Sequence, residues 1–207
     1  MKNKKQKAEK IVAELKKLFP QAKTALDYST PWELLVAVIL SARNTDKKVN
    51  EVTEKLFKKY KTIEDIKNAN LLILEKDLSQ LGLFRQKAKF VQKSAEIILD
   101  KHNGKVPDKM GDLVALPGVG RKTANVVLGN IYSIFEGIAV DTHVTRLSRL
   151  FGLTKNSDPN KIEKDLMEIL PNAEWMDFTN RMIEYGREYC PAYCKHTDCP
   201  LRKFIQS

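Results

Sequence analysis

Residues 116–127 read LPGVGRKTANVV. This stretch decides the fold, because two apolar, helix-patterned segments meet in it at a Pro-Gly-Val-Gly turn. Upstream, Met110 to Ala115 reads as a short helix, and downstream a second helix runs from about Gly120 to Ile131. Two glycine-rich phosphate motifs are excluded. A P-loop needs glycine directly before its lysine, and here Arg121 intervenes; a dinucleotide fingerprint needs a third glycine where Thr123 stands. Both also need a preceding strand, and the preceding residues are helical in pattern.

A helix, a tight turn and a second helix make a different device. Gly118 and Gly120 let the chain turn sharply and leave backbone N–H groups exposed beside a helix N-terminus, where a phosphate can be held. Gly118, Val119 and Gly120 are therefore candidate phosphate-contacting residues, with Arg121 adding charge. The pattern fits a helix-hairpin-helix, which grips a nucleic-acid backbone without reading bases. The alternative is an ordinary αα-turn whose glycines serve geometry alone.

Lys122 sits in the first turn of the second helix, where the helix dipole disfavours a cation. Partial burial would lower its pKa further, giving an amine able to form a Schiff base with a sugar carbon. Against this stands the solvated surface lysine, the common case in a chain this rich in lysine. Downstream, Ile138-Ala139-Val140-Asp141-Thr142-His143 is an apolar approach to an acid at a helix N-cap. Asp141 would be ionised there, and a carboxylate facing an amine can accept protons and stabilise a developing cation. A cap with no further duty is the competing reading of Asp141.

The surrounding sequence is helical nearly throughout. Ile11, Leu15 and Leu18 form one stripe, and Thr30-Pro31-Trp32-Glu33 reads as a helix start with a capping box. WELLVAVILSA is apolar on nearly all sides and should run through a core. Phe84, Ala88, Val91, Ala95 and Ile98 repeat at helical steps before His102-Asn103-Gly104 ends that helix. Asp158-Pro159 opens another helix, and a last one covers about Met176 to Tyr189. Nothing alternates with period two, so the expectation is an all-α fold. The 207 residues carry 36 Lys+Arg against 26 Asp+Glu, a net charge of +10. That excess favours an anionic partner, nucleic acid ahead of a membrane surface. No apolar segment is long enough to span a bilayer, which points to a cytoplasmic chain.

LPGVGRKTANVV followed by VDTH closely resembles the endonuclease III family of bacterial DNA repair glycosylases with AP lyase activity. ILSARNTDKKVN (39–50), LGLFRQKA (81–88), HNGKVP and YGREYC extend the resemblance over most of the chain. It implies a helix-hairpin-helix glycosylase fold of two helical domains with a DNA-binding cleft between them. One domain would be residues 22–132, with the hairpin at about 109–131, and the other residues 1–21 with 133–207. It implies removal of oxidised pyrimidines from damaged double-stranded DNA and β-elimination at the abasic site, by a monomer working at the nucleoid. Lys122 falls on the nucleophile, Asp141 on the essential carboxylate, and Leu83 on a wedge that enters the stack when a nucleotide is flipped out. His143 lies beside Asp141, to contact backbone or lesion, or only to pack at the helix start. The related adenine glycosylases lack a lysine here, so Lys122 favours the bifunctional enzyme. A non-catalytic helix-hairpin-helix DNA binder and a monofunctional glycosylase for another base are the rival readings.

The sequence departs from the family twice. Arg43 stands where a glutamine usually fills the vacated stack, leaving the opposite-base preference open. The family's four-iron four-sulfur cluster uses C-x6-C-x2-C-x5-C, but this chain has three cysteines, Cys190, Cys194 and Cys199, in CPAYCKHTDCPLRKFIQS. Neither register places four thiolates, and a complete cluster needs four ligands. The expectation is a cluster that is absent or degenerate. Zinc on the three cysteines with His196 is the alternative, cramped by the single residue between Cys194 and His196. Catalysis by Lys122 and Asp141 needs no metal.

Overall fold

The structure is a computed structural model and describes residues 2–205. Among these the chain is all-helical. In order come α1 (Lys2–Leu18), α2 (Pro31–Ser41), α3 (Asp46–Lys59), α4 (Ile63–Lys67), α5 (Leu71–Asp77), α6 (Phe84–His102), α7 (Met110–Val114), α8 (Arg121–Val127), α9 (Thr142–Leu150), α10 (Pro159–Ile169) and α11 (Trp175–Glu188). A π-helical turn, Leu128–Tyr132, prolongs α8, and short 3₁₀ turns precede α11 and close the described chain. The chain divides into two compact units: Thr24–Ile134, and the residues up to Lys23 with those from Phe135 onward.

The Thr24–Ile134 unit is built around α2. Trp32 and every residue from Leu34 to Leu40 are buried, so this helix has no solvent face to speak of. Each fully buried aliphatic side chain contributes about 1.5–3 kcal/mol, which makes α2 the element whose disruption nothing else offsets. Helices α3, α6 and α8 lie against it, α4 and α5 lie against α6, and α7 lies against α8. Thr30 caps α2 by accepting the Glu33 N–H at 3.1 Å. The Glu33 carboxylate then takes the N–H of Ser29 at 2.6 Å, so the expected box closes one residue early. Helix α6 ends as its sequence suggests: Asn103 and Gly104 turn left-handed (φ 51° and 74°), and Gly104 N–H reaches back to Ile98 O. Helices α4 and α5 are too short for periodicity to reveal, and their caps are the only sequence signal. Thr62 and Asp65 cap α4 reciprocally, and Asn70 Oδ1 caps α5.

The other unit packs α1 against α10 and α11, and α9 against α10 and α11. Ala8, Ile11 and Leu15 on α1 are fully buried, as are Val144 and Leu147 on α9 and Leu166 on α10. Arg181 on α11 is buried with all its charge spoken for: Nε donates to Phe19 O, and the guanidinium pairs with Asp177 at 2.7 Å and Glu174 at 3.3 Å. This buried cation anchors the end of α1 to α11. Asp158 caps α10 through Lys161 N–H, with Pro159 in the first turn.

Candidate functional site

The hairpin turn between α7 and α8 is held from below by α6. Leu116 and Val119 point into the core, 2% and 5% exposed. Leu116 N–H bonds Leu113 O, and Val119 N–H bonds Leu116 O at 3.1 Å. Val119 therefore spends its amide inside the turn and its side chain inside the core. Val119 thus anchors the turn, while its neighbours Gly118 and Gly120 are exposed. Gly118 has φ +77°, and a Cβ there would stand 2.5 Å from Phe90 Cδ2. Two constraints therefore demand glycine at that position. At Gly120 a Cβ would meet nothing within 4 Å, and no side chain caps α8. The protein's own folding gives no steric reason for glycine at 120. What glycine preserves there is open space at the N-terminus of α8.

Arg121 and Lys122 are the first two residues of α8 and both are exposed. The partial burial expected of Lys122 is thus not provided by the free chain, because the first turn of α8 faces solvent. Lys122 lies in the Thr24–Ile134 unit, and Asp141 and His143 lie in the other.

Asp141 is the N-cap of α9, as its position in the sequence suggests. Its Oδ1 accepts the Val144 N–H at 2.7 Å, and it is half-buried. Ile138, Ala139 and Val140 run into this cap entirely buried, so the acid is delivered by a rigid apolar segment. The His143 ring is seated against α11, where a Cβ on Gly186 would come within 2.4 Å of His143 Nδ1. Packing at the helix start is thus a real part of what His143 does.

A feature that sequence reasoning missed joins the two loops carrying Arg43 and Leu83. Both residues are left-handed, φ 59° and 60°, and both are exposed, Leu83 by 50%. Each such non-glycine conformation costs about 1–3 kcal/mol and survives only where its surroundings impose it. Asn44 and Lys87 impose it here. Asn44 Oδ1 accepts the Gly82 N–H at 2.9 Å, while its Nδ2 donates to Leu40 O and Ala42 O at 3.0 Å each. Lys87, 3% exposed, donates Nζ to the same two carbonyls at 2.8 and 2.7 Å. Burial pushes its pKa down, and it has carbonyls rather than a carboxylate for company. The signal in sequence was only an Asn beside Arg43 and a Lys four residues after Leu83.

At the other end of the chain the three cysteines and His196 come together. Their ligand atoms all lie within 4.8 Å of one another. Cys194 and Cys199 Sγ are 3.1 Å apart, and His196 Nδ1 is 3.5 Å from Cys190 Sγ and 3.8 Å from Cys199 Sγ. The expectation of an absent or degenerate cluster gains no support here, because this donor group could hold a metal. The spacing objection fails because His196 is left-handed, φ 58°. That bend brings the ring back over the cysteines and aims the His196 N–H at Cys194 Sγ, 3.2 Å away. Burial pushes the Cys190 thiol up and the Cys199 thiol up to about 12. Hydrogen bonds from the Cys199 thiol and from His196 N–H hold Cys194 low.

Comparison with known proteins agrees with this architecture. Residues 36–172 match the model of the HhH-GPD superfamily base excision DNA repair proteins. The chain is 46% identical to endonuclease III of Synechocystis over 93% of its own length and 88% of that protein. It is 44% identical to endonuclease III of Bacillus subtilis over 89% and 84%. Among solved structures, a non-covalent endonuclease III–DNA complex superposes with a TM-score of 0.93 at 43% identity, covering 98% of this chain and 95% of that one. A trapped endonuclease III–DNA covalent intermediate matches with the same TM-score of 0.93 and the same identity. A thermostable thymine-DNA glycosylase shares the fold at 23% identity, with a TM-score of 0.84. With a helical hairpin opening on a lysine, a capped acid downstream and relatives matched along nearly their whole length, this chain belongs to the HhH-GPD superfamily, in its endonuclease III family.

Proposed function

We propose that this chain is a bifunctional DNA glycosylase and AP lyase that removes oxidised pyrimidines from duplex DNA, with Lys122 as its nucleophile. The observation that carries the reading is the position of Lys122. It is the exposed second residue of α8, directly after a glycine that leaves open space before the helix N-terminus. A relative 43% identical has been captured as a covalent intermediate with DNA, which requires a nucleophile of this kind.

In this reading the hairpin backbone around Gly118 and Gly120, with Arg121, holds the phosphodiester chain. The Lys122 amine attacks C1′ of a flipped nucleotide. The glycosidic C–N bond breaks, the base leaves with its electron pair and takes up a proton, and the sugar ring opens to a Schiff base on Nζ. Loss of the C2′ proton then expels the 3′ phosphate, and water hydrolyses the imine to release the enzyme. Asp141 accepts a proton from the attacking amine and stabilises the cationic sugar. One of its oxygens is committed to Val144 N–H, which fixes the carboxylate without consuming it. In the free chain Lys122 is solvated, so DNA itself must exclude water from the amine. Leu83 enters the space left by the flipped nucleotide, and Arg43 faces the estranged base. His143 supports the Asp141 helix start against Gly186. The work is done on the nucleoid, in the cytoplasm; no helix among the described residues is long and apolar enough to cross a membrane. The C-terminal cysteine and histidine group binds a metal with a structural duty.

The test is reductive trapping. The protein is incubated with a duplex containing thymine glycol, and borohydride is added. A covalent adduct that requires Lys122 supports the reading. Base release without an adduct indicates a monofunctional glycosylase, and binding without either indicates a DNA clamp.

A further inference from the structure

We propose that Cys190, Cys194, His196 and Cys199 hold a single zinc ion where the family carries a four-iron cluster. The inference rests on reading this group as metal-binding and adds the identity of the metal. The distances decide between the two. Zinc bonds of about 2.3 Å to sulfur and about 2.0–2.1 Å to nitrogen, set tetrahedrally, put neighbouring donors roughly 3.5–3.8 Å apart. His196 Nδ1 stands 3.5 Å from Cys190 Sγ and 3.8 Å from Cys199 Sγ. All four donors fall within 4.8 Å of one another. The Cys194–Cys199 pair, at 3.1 Å, must open by roughly 0.7 Å to seat the ion. A four-iron cube is bulkier than this group. Its thiolates project outward from separate corners, so every donor pair is held apart by a cube edge as well as by two outward bonds. Sulfurs that nearly touch cannot flank it.

The chemistry of the donors agrees. Three thiolates and one imidazole form a closed structural zinc set, and no fourth cysteine exists in the chain. On binding, each of the three thiols loses its proton to solvent while His196 stays neutral, which leaves one net negative charge on the site. Arg146 stands where that charge would be. Its Nη1 lies 3.6 Å from Cys190 Sγ and its Nη2 donates to Cys190 O at 2.6 Å. The His196 N–H on Cys194 Sγ supplies the amide contact that thiolate ligands receive from an outer shell. The loop so closed is tied to α11 where Leu201 N–H donates to the Tyr185 hydroxyl at 3.2 Å. With four protein donors the ion has no open position, so it fixes the loop and takes no part in the reaction.

The full-length protein, produced in cells supplied with both iron and zinc and purified without air, should contain about one zinc per chain and neither iron nor acid-labile sulfide. Exchange for Co²⁺ should give the intense visible bands of a tetrahedral, thiolate-rich site. Cys194→Ser and His196→Ala should each weaken zinc retention against a competing chelator at least about tenfold. His196→Cys should keep zinc and shift the cobalt bands as a fourth sulfur enters. A brown protein with iron and sulfide would overturn the zinc assignment while leaving the metal-binding reading intact. A colourless, metal-free protein, with three titratable thiols or with a Cys194–Cys199 disulfide, would overturn both. The native metal content and the cobalt spectrum decide the matter even if a variant fails to fold.

Discussion

The hairpin around Gly118 and the loop around Cys194 are both short irregular segments at helix ends, and they hold their shape by opposite means. The hairpin is shaped from within. Leu116 and Val119 are sunk in the core, and Gly118 lies so close to Phe90 that no other residue fits. The cysteine loop is rooted in its own core through Cys190, Cys199 and Leu201, but between those roots four donor side chains face one another and Tyr193 is 97% exposed. One segment has its shape set by the core behind it; the other brings four potential metal donors face to face. A site that must greet many substrates is best built before they arrive, whereas a structural ion can be part of the fold itself.

Experiments can break this contrast or sharpen it. The largest effect should come from Lys122→Gln, which should abolish borohydride trapping, a loss of about a thousandfold or more. As an exposed substitution it should leave the unfolding free energy unchanged within about 0.5 kcal/mol. Trapping at the wild-type rate would remove Lys122 from the mechanism. Asp141→Asn isolates the carboxylate from the cap, because asparagine caps as well as aspartate. Turnover should fall about a hundredfold or more, with stability retained by thermal melt; equal loss of both would mean that Asp141 is only a cap. Stripping the metal with a chelator should lower the melting temperature by roughly 10 °C, as expected for loss of a tightly held ion from a chain of this size. Binding to undamaged duplex should change far less.

The hairpin glycines offer the sharpest pairing. Gly118→Ala should destabilise the fold by about 2–3 kcal/mol, through both its φ and the Phe90 contact. Gly120→Ala should leave stability within about 0.5 kcal/mol, read by denaturant melts, yet weaken duplex binding. If both behave alike, the space before α8 is not kept for DNA. At Lys87 the expected effect is on the fold alone. Lys87→Met should cost about 2 kcal/mol in unfolding free energy by orphaning the Leu40 and Ala42 carbonyls. It should also quicken amide exchange at Gly82.

What could be read from sequence follows the same division. Caps and breakers act over three or four residues, so Thr30, Asp141, Asp158 and the Asn103-Gly104 stop announce themselves. The hairpin does too, since glycine spacing and a lysine are local facts. Helices α4 and α5 escaped because five and seven residues give no period to detect. The Asn44–Gly82 bond spans 38 residues and the Lys87 contacts 47 and 45, so no local pattern could reveal them. The convergence of His196 with the cysteines was hidden because motif spacing presumes ordinary backbone. A single left-handed residue, His196, moves its ring to where the spacing rule forbids it.

Under the proposed DNA contacts, that brace between the Arg43 and Leu83 loops would have a consequence for how a duplex is searched. The two loop tips rest on the same carbonyls and the same asparagine, so they form one stiff caliper rather than two independent fingers. The entropy of ordering them is settled when the protein folds, not again at every base pair inspected. Should these tips probe DNA as proposed, a caliper of fixed gauge would reject an intact stack quickly, because it cannot relax to fit.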